Sequence, residues 1–289
     1  MNLTTSQAMS AFLEDITVTD YQKTSIIQGR KTTVETNLKT AFPSTSNLPF
    51  SRGVLMGSAA KGTIVRPIDD VDVLAIFDNV NNAWGKYRYD SKAFIYRIRS
   101  AYDGLETAEV GARGQAVRVF FQTGGHVDVA PVFSYGRDVY GLPDGSGGWI
   151  HTAPTVATSW FTTRNAGLGY NLAPVVRLLK KWNGAHSKRL RSFHLETMTG
   201  KVFKTLGSGR QNALLRLFEW APGWIDVSDP GGQSGLLSGY LNYAVRQEVT
   251  QSFNAAADRA AKAIEAESRA DHEEAKRLWR IILGDTFPN

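Results

Sequence analysis

The stretch Asp70 to Phe77, DVDVLAIF, constrains the fold more than any other. Val71, Val73, Leu74, Ala75, Ile76 and Phe77 make an apolar run of strand length. In a strand, residues i and i+2 face the same side. Asp70 and Asp72 therefore project together, while Val71 and Val73 face the other way. Acidic residues are depleted in strands. Two carboxylates aimed at one point repel each other unless a cation sits between them. Asp69 reads as the last loop residue, because Asp70-Val71-Asp72 has the better alternation.

The pattern recurs further on. Gln115 to Gln122 is rich in Val and Phe, Gly124-Gly125 is a turn signal, and His126-Val127-Asp128-Val129 opens a further strand. Residues 115–133 thus read as a hairpin that places Asp128 among valines. Three carboxylates on two apolar strands suit a hard cation, magnesium above all, and two-metal phosphoryl transfer. The chain has no cysteine, so thiolate zinc sites, disulfides and a cysteine nucleophile are excluded. Ahead of the acids, Val54-Leu55-Met56 reads as a short strand ending at Gly57-Ser58. Glycine lets a backbone approach a phosphate closely, and serine adds a hydroxyl donor. This is not a Walker A loop, since G-x-x-x-x-G-K-[ST] is absent.

The rest of the chain divides by period. Residues 3–16 carry Met9, Phe12, Leu13 and Ile16 at helical spacing, and Thr19-Asp20-Tyr21-Gln22 is a capping box for a helix to about Phe42, stopped by Pro43. Residues 91–101 look like a short basic helix, and Gly141 to Gly148 is a glycine-rich loop. From Leu172 onward helices dominate. Val175, Val176, Leu178, Leu179 and Trp182 form one, Ser192 starts another, Gln211 to Trp220 is a third, and a last long helix covers 251–282. Trp182 reads as core, and His126 and His194 as structural. At 289 residues, two lobes are expected, of roughly 100–200 residues each. We place them at 1–165 and 166–289, giving an α+β chain. Net charge is +6, which mildly favours anionic partners. The sequence carries neither a basic leader with an apolar core nor a membrane span, and a cytoplasmic location is expected.

The sequence G-S, then D-h-D (h apolar), then h-D-h resembles the polymerase-β-type nucleotidyltransferases. Arg177-Leu178-Leu179-Lys180-Lys181-Trp182-Asn183, followed by Ser192-Phe193-His194-Leu195-Glu196, resembles the segment after the palm in bacterial cyclic-oligonucleotide synthases, the CD-NTases. Phe12 to Gln22 and Trp279 to Pro288 are similar to that family's opening and closing segments. The resemblance implies a polymerase-β-like palm with a mixed β-sheet plus a C-terminal helical lobe. It implies that Asp70, Asp72 and Asp128 hold two Mg²⁺ (or Mn²⁺) ions. Gly57 and Ser58 would hold the donor triphosphate, with Lys61 nearby where an arginine is common. Lys180 would neutralise the triphosphate, with Ser192 beside it. One departure is Ala59-Ala60, where relatives often place an aromatic residue.

The implied activity joins NTPs (ATP, GTP or pyrimidine NTPs) into a cyclic di- or trinucleotide messenger that reaches an effector in anti-phage defence. A regulatory protein partner is possible in such systems. Activation by nucleic acid through a zinc thumb is not expected without cysteine. The rivals are another transferase of the superfamily, adenylylating protein or extending RNA, and a catalytically dead nucleotide-binding module.

Overall fold

A computed structural model describes residues 3–104, 108–111 and 113–289. At its centre is a seven-stranded mixed sheet. The strands are β1 (Phe50–Leu55), β2 (Asp70–Phe77), β3 (Ala108–Val110), β4 (Val117–Phe120), β5 (His126–Gly136), β6 (Val139–Pro143) and β7 (Trp149–Thr152). They run in the order β1-β2-β5-β4-β3, with β6 on the far half of β5 and β7 on β6. The β2–β5 pairing is parallel and the others are antiparallel.

The alternation in β2 sorts its side chains as the pleat requires. Val71, Val73, Ala75 and Phe77 enter the main sheet core with Val127, Val129 and Phe133 of β5. Helices α2 (Gly29–Ala41) and α5 (Ser91–Arg99) cover that face through Val34, Leu38, Phe94, Ile95 and Ile98. The rings of Phe42, Phe50 and Phe94 stand edge-on to Phe77 at 5.5 to 5.6 Å. On the opposite face, Leu74 and Ile76 join Met56, Val132 and Tyr140 in a small cluster. That face continues toward the strand start as Asp72 and Asp70.

The helical half has its own core. It comprises α6 (Pro154–Gly167), α7 (Leu172–Ala185), α8 (Ser192–Val202), α9 (Arg210–Trp220), α10 (Tyr243–Ser268) and α11 (His272–Leu283). Trp182 of α7 stacks on Phe253 of α10 at 4.6 Å, so it is a core residue. The N-terminal helix α1 (Thr5–Ile16) packs with this core, not with the sheet, through Ala8, Met9, Phe12 and Ile16. Two short helices, α3 (Gly57–Lys61) and α4 (Ala83–Tyr87), complete the chain. Among the described residues, no helix is long and apolar enough to cross a membrane.

The structure departs from the sequence expectations in five places. The helix opened by the Thr19–Gln22 box forms, with Gln22 N donating to Thr19 Oγ1 and Thr19 N to Gln22 Oε1, but it winds as a π-helix over Gln22–Gln28 before α2. The glycine-rich loop from Gly141 is half strand: Gly141 pairs with His151 across β6 and β7. Gly57-Ser58, expected to end a strand, opens a short helix. Helix α6 was not anticipated; it starts with Pro154, whose missing N–H is no loss in a first turn. The last helix, expected over 251–282, begins earlier and is two. Ala270 takes φ +60°, and Asp271 caps α11 by accepting from Glu274 N. A left-handed residue followed by a cap ends one helix and starts the next.

Candidate active site

The parallel register of β2 and β5 sets Asp72 opposite Asp128 and Asp70 opposite His126. Residues opposite one another share a face, so the three expected carboxylates are brought to one side of the sheet. Asp70 is exposed, and Asp72 and Asp128 are half-buried. Burial first, then the charges of Asp70, Asp128 and Glu196, push the Asp72 carboxyl up to about 6, against a partial offset from Lys61. Asp69 lies outside the set: it is exposed, and its carbonyl accepts from His126 N at 2.7 Å, which fixes the entry of the two strands.

Asp128 is held from its other side. Arg118, its register partner on β4, donates Nε to Oδ1 at 2.9 Å and Nη2 to Oδ2 at 3.1 Å. That bond raises the Arg118 guanidinium further. No group of three acidic or histidine side chains among the described residues closes into a ready-made cage for an ion. The donor chemistry nonetheless fits magnesium. All the donors are carboxylate oxygens, and such an ion binds through one or two carboxylates, completing its shell from water and phosphate. The crowding that raises Asp72 is what a bound cation relieves.

Gly57 is fixed by the acids. Its φ is +58°, and a Cβ there would lie 1.8 Å from Asp72 Oδ2. Glycine permits both the left-handed turn and the close approach. The turn tightens further as Ser58 O accepts from Thr63 N and Ile64 N at 2.9 and 3.2 Å.

Opposite the carboxylates stand α7 and α8. Glu196 of α8 is 2% exposed and lies between two lysines: Lys61 Nζ reaches Oε2 at 2.8 Å and Lys180 Nζ reaches Oε1 at 2.7 Å. Thr63 Oγ1 also donates to Oε1. Burial pushes the Glu196 carboxyl up, but Lys180 and Lys61 together pull it below its ordinary value. Lys61 sits over the Phe193 ring at 4.5 Å. Ser192 is the first residue of α8 and is exposed; Arg191 stands at the cap position. His194 is buried, with Nε2 2.7 Å from Ile225 O and Nδ1 3.0 Å from the Tyr240 hydroxyl, a structural role as expected.

These walls enclose a cleft of about 740 Å³, lined by Ser58, Lys61, Asp70, Asp72, Lys180 and Ser192 among others. A second cavity of about 570 Å³ lies on the sheet side and takes in Arg113, Gln115, Arg118 and Asp128. Gly57 and Asp72 border both. Every site residue expected from the sequence therefore lines one of two cavities that meet at Asp72.

Sequence reasoning missed Glu196, Thr63 and Arg118. A signal for Glu196 was present: an acid inside the run Leu195-Glu196-Thr197-Met198 falls on a face that must be buried, and a buried carboxylate needs cations. Arg118 stands in a strand two residues from the turn-side Phe120, and only the register of β4 on β5 shows that it meets Asp128.

The chain is similar in sequence and fold to known proteins. Residues 3–165 match the family described as the Second Messenger Oligonucleotide or Dinucleotide Synthetase domain. A probable cyclic nucleotide synthase of Bacillus cereus is 26% identical over 99% of this chain and 98% of its own length. A cyclic AMP-AMP-AMP synthase of Acinetobacter is 25% identical over 81% of this chain and 72% of its own. The solved complex of E. coli CdnC with a HORMA protein superposes with a TM-score of 0.81 at 18% identity, covering 100% of this chain and 99% of that one. The mixed sheet carrying the carboxylates, with helices closing over it, is the polymerase-β-like fold of those enzymes. The chain belongs to the second messenger oligonucleotide or dinucleotide synthetase family, the bacterial CD-NTases, and is a nucleotidyltransferase that makes cyclic nucleotides.

Proposed function

We propose that the cleft between sheet and helices binds the donor NTP and that the second cavity binds the acceptor. The observation that carries this reading is the position of Asp72 at the meeting point of the two cavities, in register with Asp128. Asp70 and Asp72 face the donor side and Asp128 the acceptor side. Gly57 and Ser58 provide the tight turn beneath the triphosphate, and Lys61, Lys180 and Ser192 form the wall opposite.

The acceptor hydroxyl attacks the donor α-phosphorus as the bond to the pyrophosphate oxygen breaks. The hydroxyl proton and pyrophosphate leave, each further NTP is joined in the same way with loss of its own pyrophosphate, and the last transfer closes the ring. The protein's part is positioning and charge. Asp70, Asp72 and Asp128 would hold two magnesium or manganese ions, which supply charge neutralisation and a more acidic acceptor hydroxyl. Glu196 offsets one of the two charges of Lys61 and Lys180 that flank it, and Arg118 fixes the orientation of Asp128.

The relatives named cyclic AMP-AMP-AMP synthases favour ATP as a substrate and a trinucleotide product here. As in the anti-phage systems of this family, the messenger would act on an effector. The complex of the relative CdnC with a HORMA protein favours a protein partner for this chain too. The two units, expected at 1–165 and 166–289, would then meet at the cleft, with α1 and α6 packed on the core of the helical one. The test is incubation of the purified chain with the four NTPs and Mg²⁺, phosphatase treatment, and mass spectrometry. A small phosphatase-resistant nucleotide supports the reading. A long linear ladder, or label transferred to protein, would overturn it.

A further inference from the structure

Which lysine of the helical wall can meet a phosphate depends on which ammonium still has hydrogens to give. Lysine has three N–H donors and no acceptor. Those of Lys180 are all used inside the protein: Glu196 Oε1 at 2.7 Å, the Thr63 carbonyl at 3.1 Å and Thr63 Oγ1 at 3.1 Å. The Thr63 hydroxyl then donates on to Glu196 Oε1, closing a ring of three residues. Lys61 binds the other carboxylate oxygen and is covered by Phe193. A carboxylate as buried as Glu196 needs both partners, since removing one leaves an uncompensated buried charge. A phosphate that drew Lys180 away would break this ring.

Lys181 differs from its neighbour. It lines the same cleft and is half-buried, yet its ammonium has no hydrogen bond or ion pair among the described residues. Ser192 lines the cleft as well, exposed at the start of α8, and its hydroxyl has no hydrogen bond among the described residues. An ammonium and a hydroxyl with open donors on one wall suit a polyphosphate.

We propose that Lys181, with Ser192, is the lysine that contacts the donor triphosphate, and that Lys180 is a positioning residue acting through Glu196 to hold Thr63 and Lys61 in the wall. The inference rests on the reading of this cleft as the donor site. It moves the triphosphate contact from the expected Lys180 to the next residue.

The test measures binding of an α,β-methylene ATP analogue to the full chain by calorimetry, with and without Mg²⁺, beside the melting temperature of the ligand-free protein. Lys181→Met should weaken the analogue about tenfold or more, equivalent to about 1.4 kcal/mol, without moving the melting temperature. Lys180→Met should lower the melting temperature by several degrees, because Glu196 loses a partner. Held below its own melting transition, Lys180→Met should bind the analogue within about threefold of wild type, the change expected when no phosphate contact is lost. Lys181→Met binding like wild type, or a folded Lys180→Met that binds tenfold worse, would overturn the proposal. A wild-type chain that binds no analogue would overturn the donor-site reading itself, and this inference with it.

Discussion

The two walls of the cleft are built on different principles. On the sheet wall, three like charges share a face and no ion pair among the described residues neutralises Asp70 or Asp72; Asp72 is pushed up to about 6 by burial and by its neighbours. On the helical wall, charges of both signs are packed out of water and balanced, with Glu196 between Lys61 and Lys180. The sheet wall stores electrostatic demand that a cation and a substrate satisfy. The helical wall has met most of its own demand and leaves few donors for a ligand. The difference teaches that the number of charged residues lining a cleft is a poor guide to binding. What counts is which of them still lack a partner.

The sharpest way to break this comparison is at the carboxylates. Replacing Asp70 and Asp72 together with Asn should reduce product formation by at least about a hundredfold, since several kcal/mol of charge stabilisation are removed. Product yield by mass spectrometry, with a circular-dichroism check of folding, reads this out. Product from the double variant at the wild-type level would remove the metal assignment.

Gly57→Ala comes next. The new methyl group collides with Asp72 Oδ2, and the φ of +58° adds backbone strain of roughly 1–3 kcal/mol. We expect a melting temperature lower by several degrees and an activity loss at least as large as that of Ser58→Ala. An alanine variant indistinguishable from wild type would show that the turn is free to move away from Asp72.

The smallest effect tests the stored demand itself. The folded-state carboxyl of Asp72 lies near 6, above its ordinary 3.8, so its ionised form is the one the fold disfavours. The resulting cost to stability is absent below about pH 3.8, grows as pH rises, and is complete above about 6. In metal-free protein, Asp72→Asn should therefore melt higher than wild type at neutral pH, and the gap should shrink as pH falls below 6. Thermal melts in EDTA across that range measure it. A gap that is absent at neutral pH, or that widens on acidification, contradicts the electrostatic account of the site.

The sheet wall was also the more legible in sequence. A period of two decides where a strand side chain points, so DVDVLAIF and HVDV sufficed to place three acids on one face. Gly57 was picked out for its backbone freedom, although only the structure shows that Asp72 occupies the space of its Cβ. The helical wall resisted reading for a geometrical reason. Lys180 and Lys181 are adjacent, and both line the cleft. Their different fates depend on Thr63 and Glu196, residues 117 positions upstream and 16 downstream of Lys180. The long terminal helix was misjudged because its alanine-rich run continues in composition across Ala270, where the backbone turns left-handed.

The most direct test of the contrast is a single-turnover experiment at saturating NTP with Mg²⁺, comparing Asp72→Asn and Lys181→Met. The account predicts that Asp72→Asn binds the nucleotide no worse than wild type but turns it over at least about a hundredfold more slowly. It predicts that Lys181→Met needs more NTP to saturate and then reacts within about threefold of the wild-type rate. The opposite division, with Asp72→Asn losing mainly affinity and Lys181→Met losing mainly the chemical rate, would contradict the assignment of chemistry to the sheet wall and binding to the helical one.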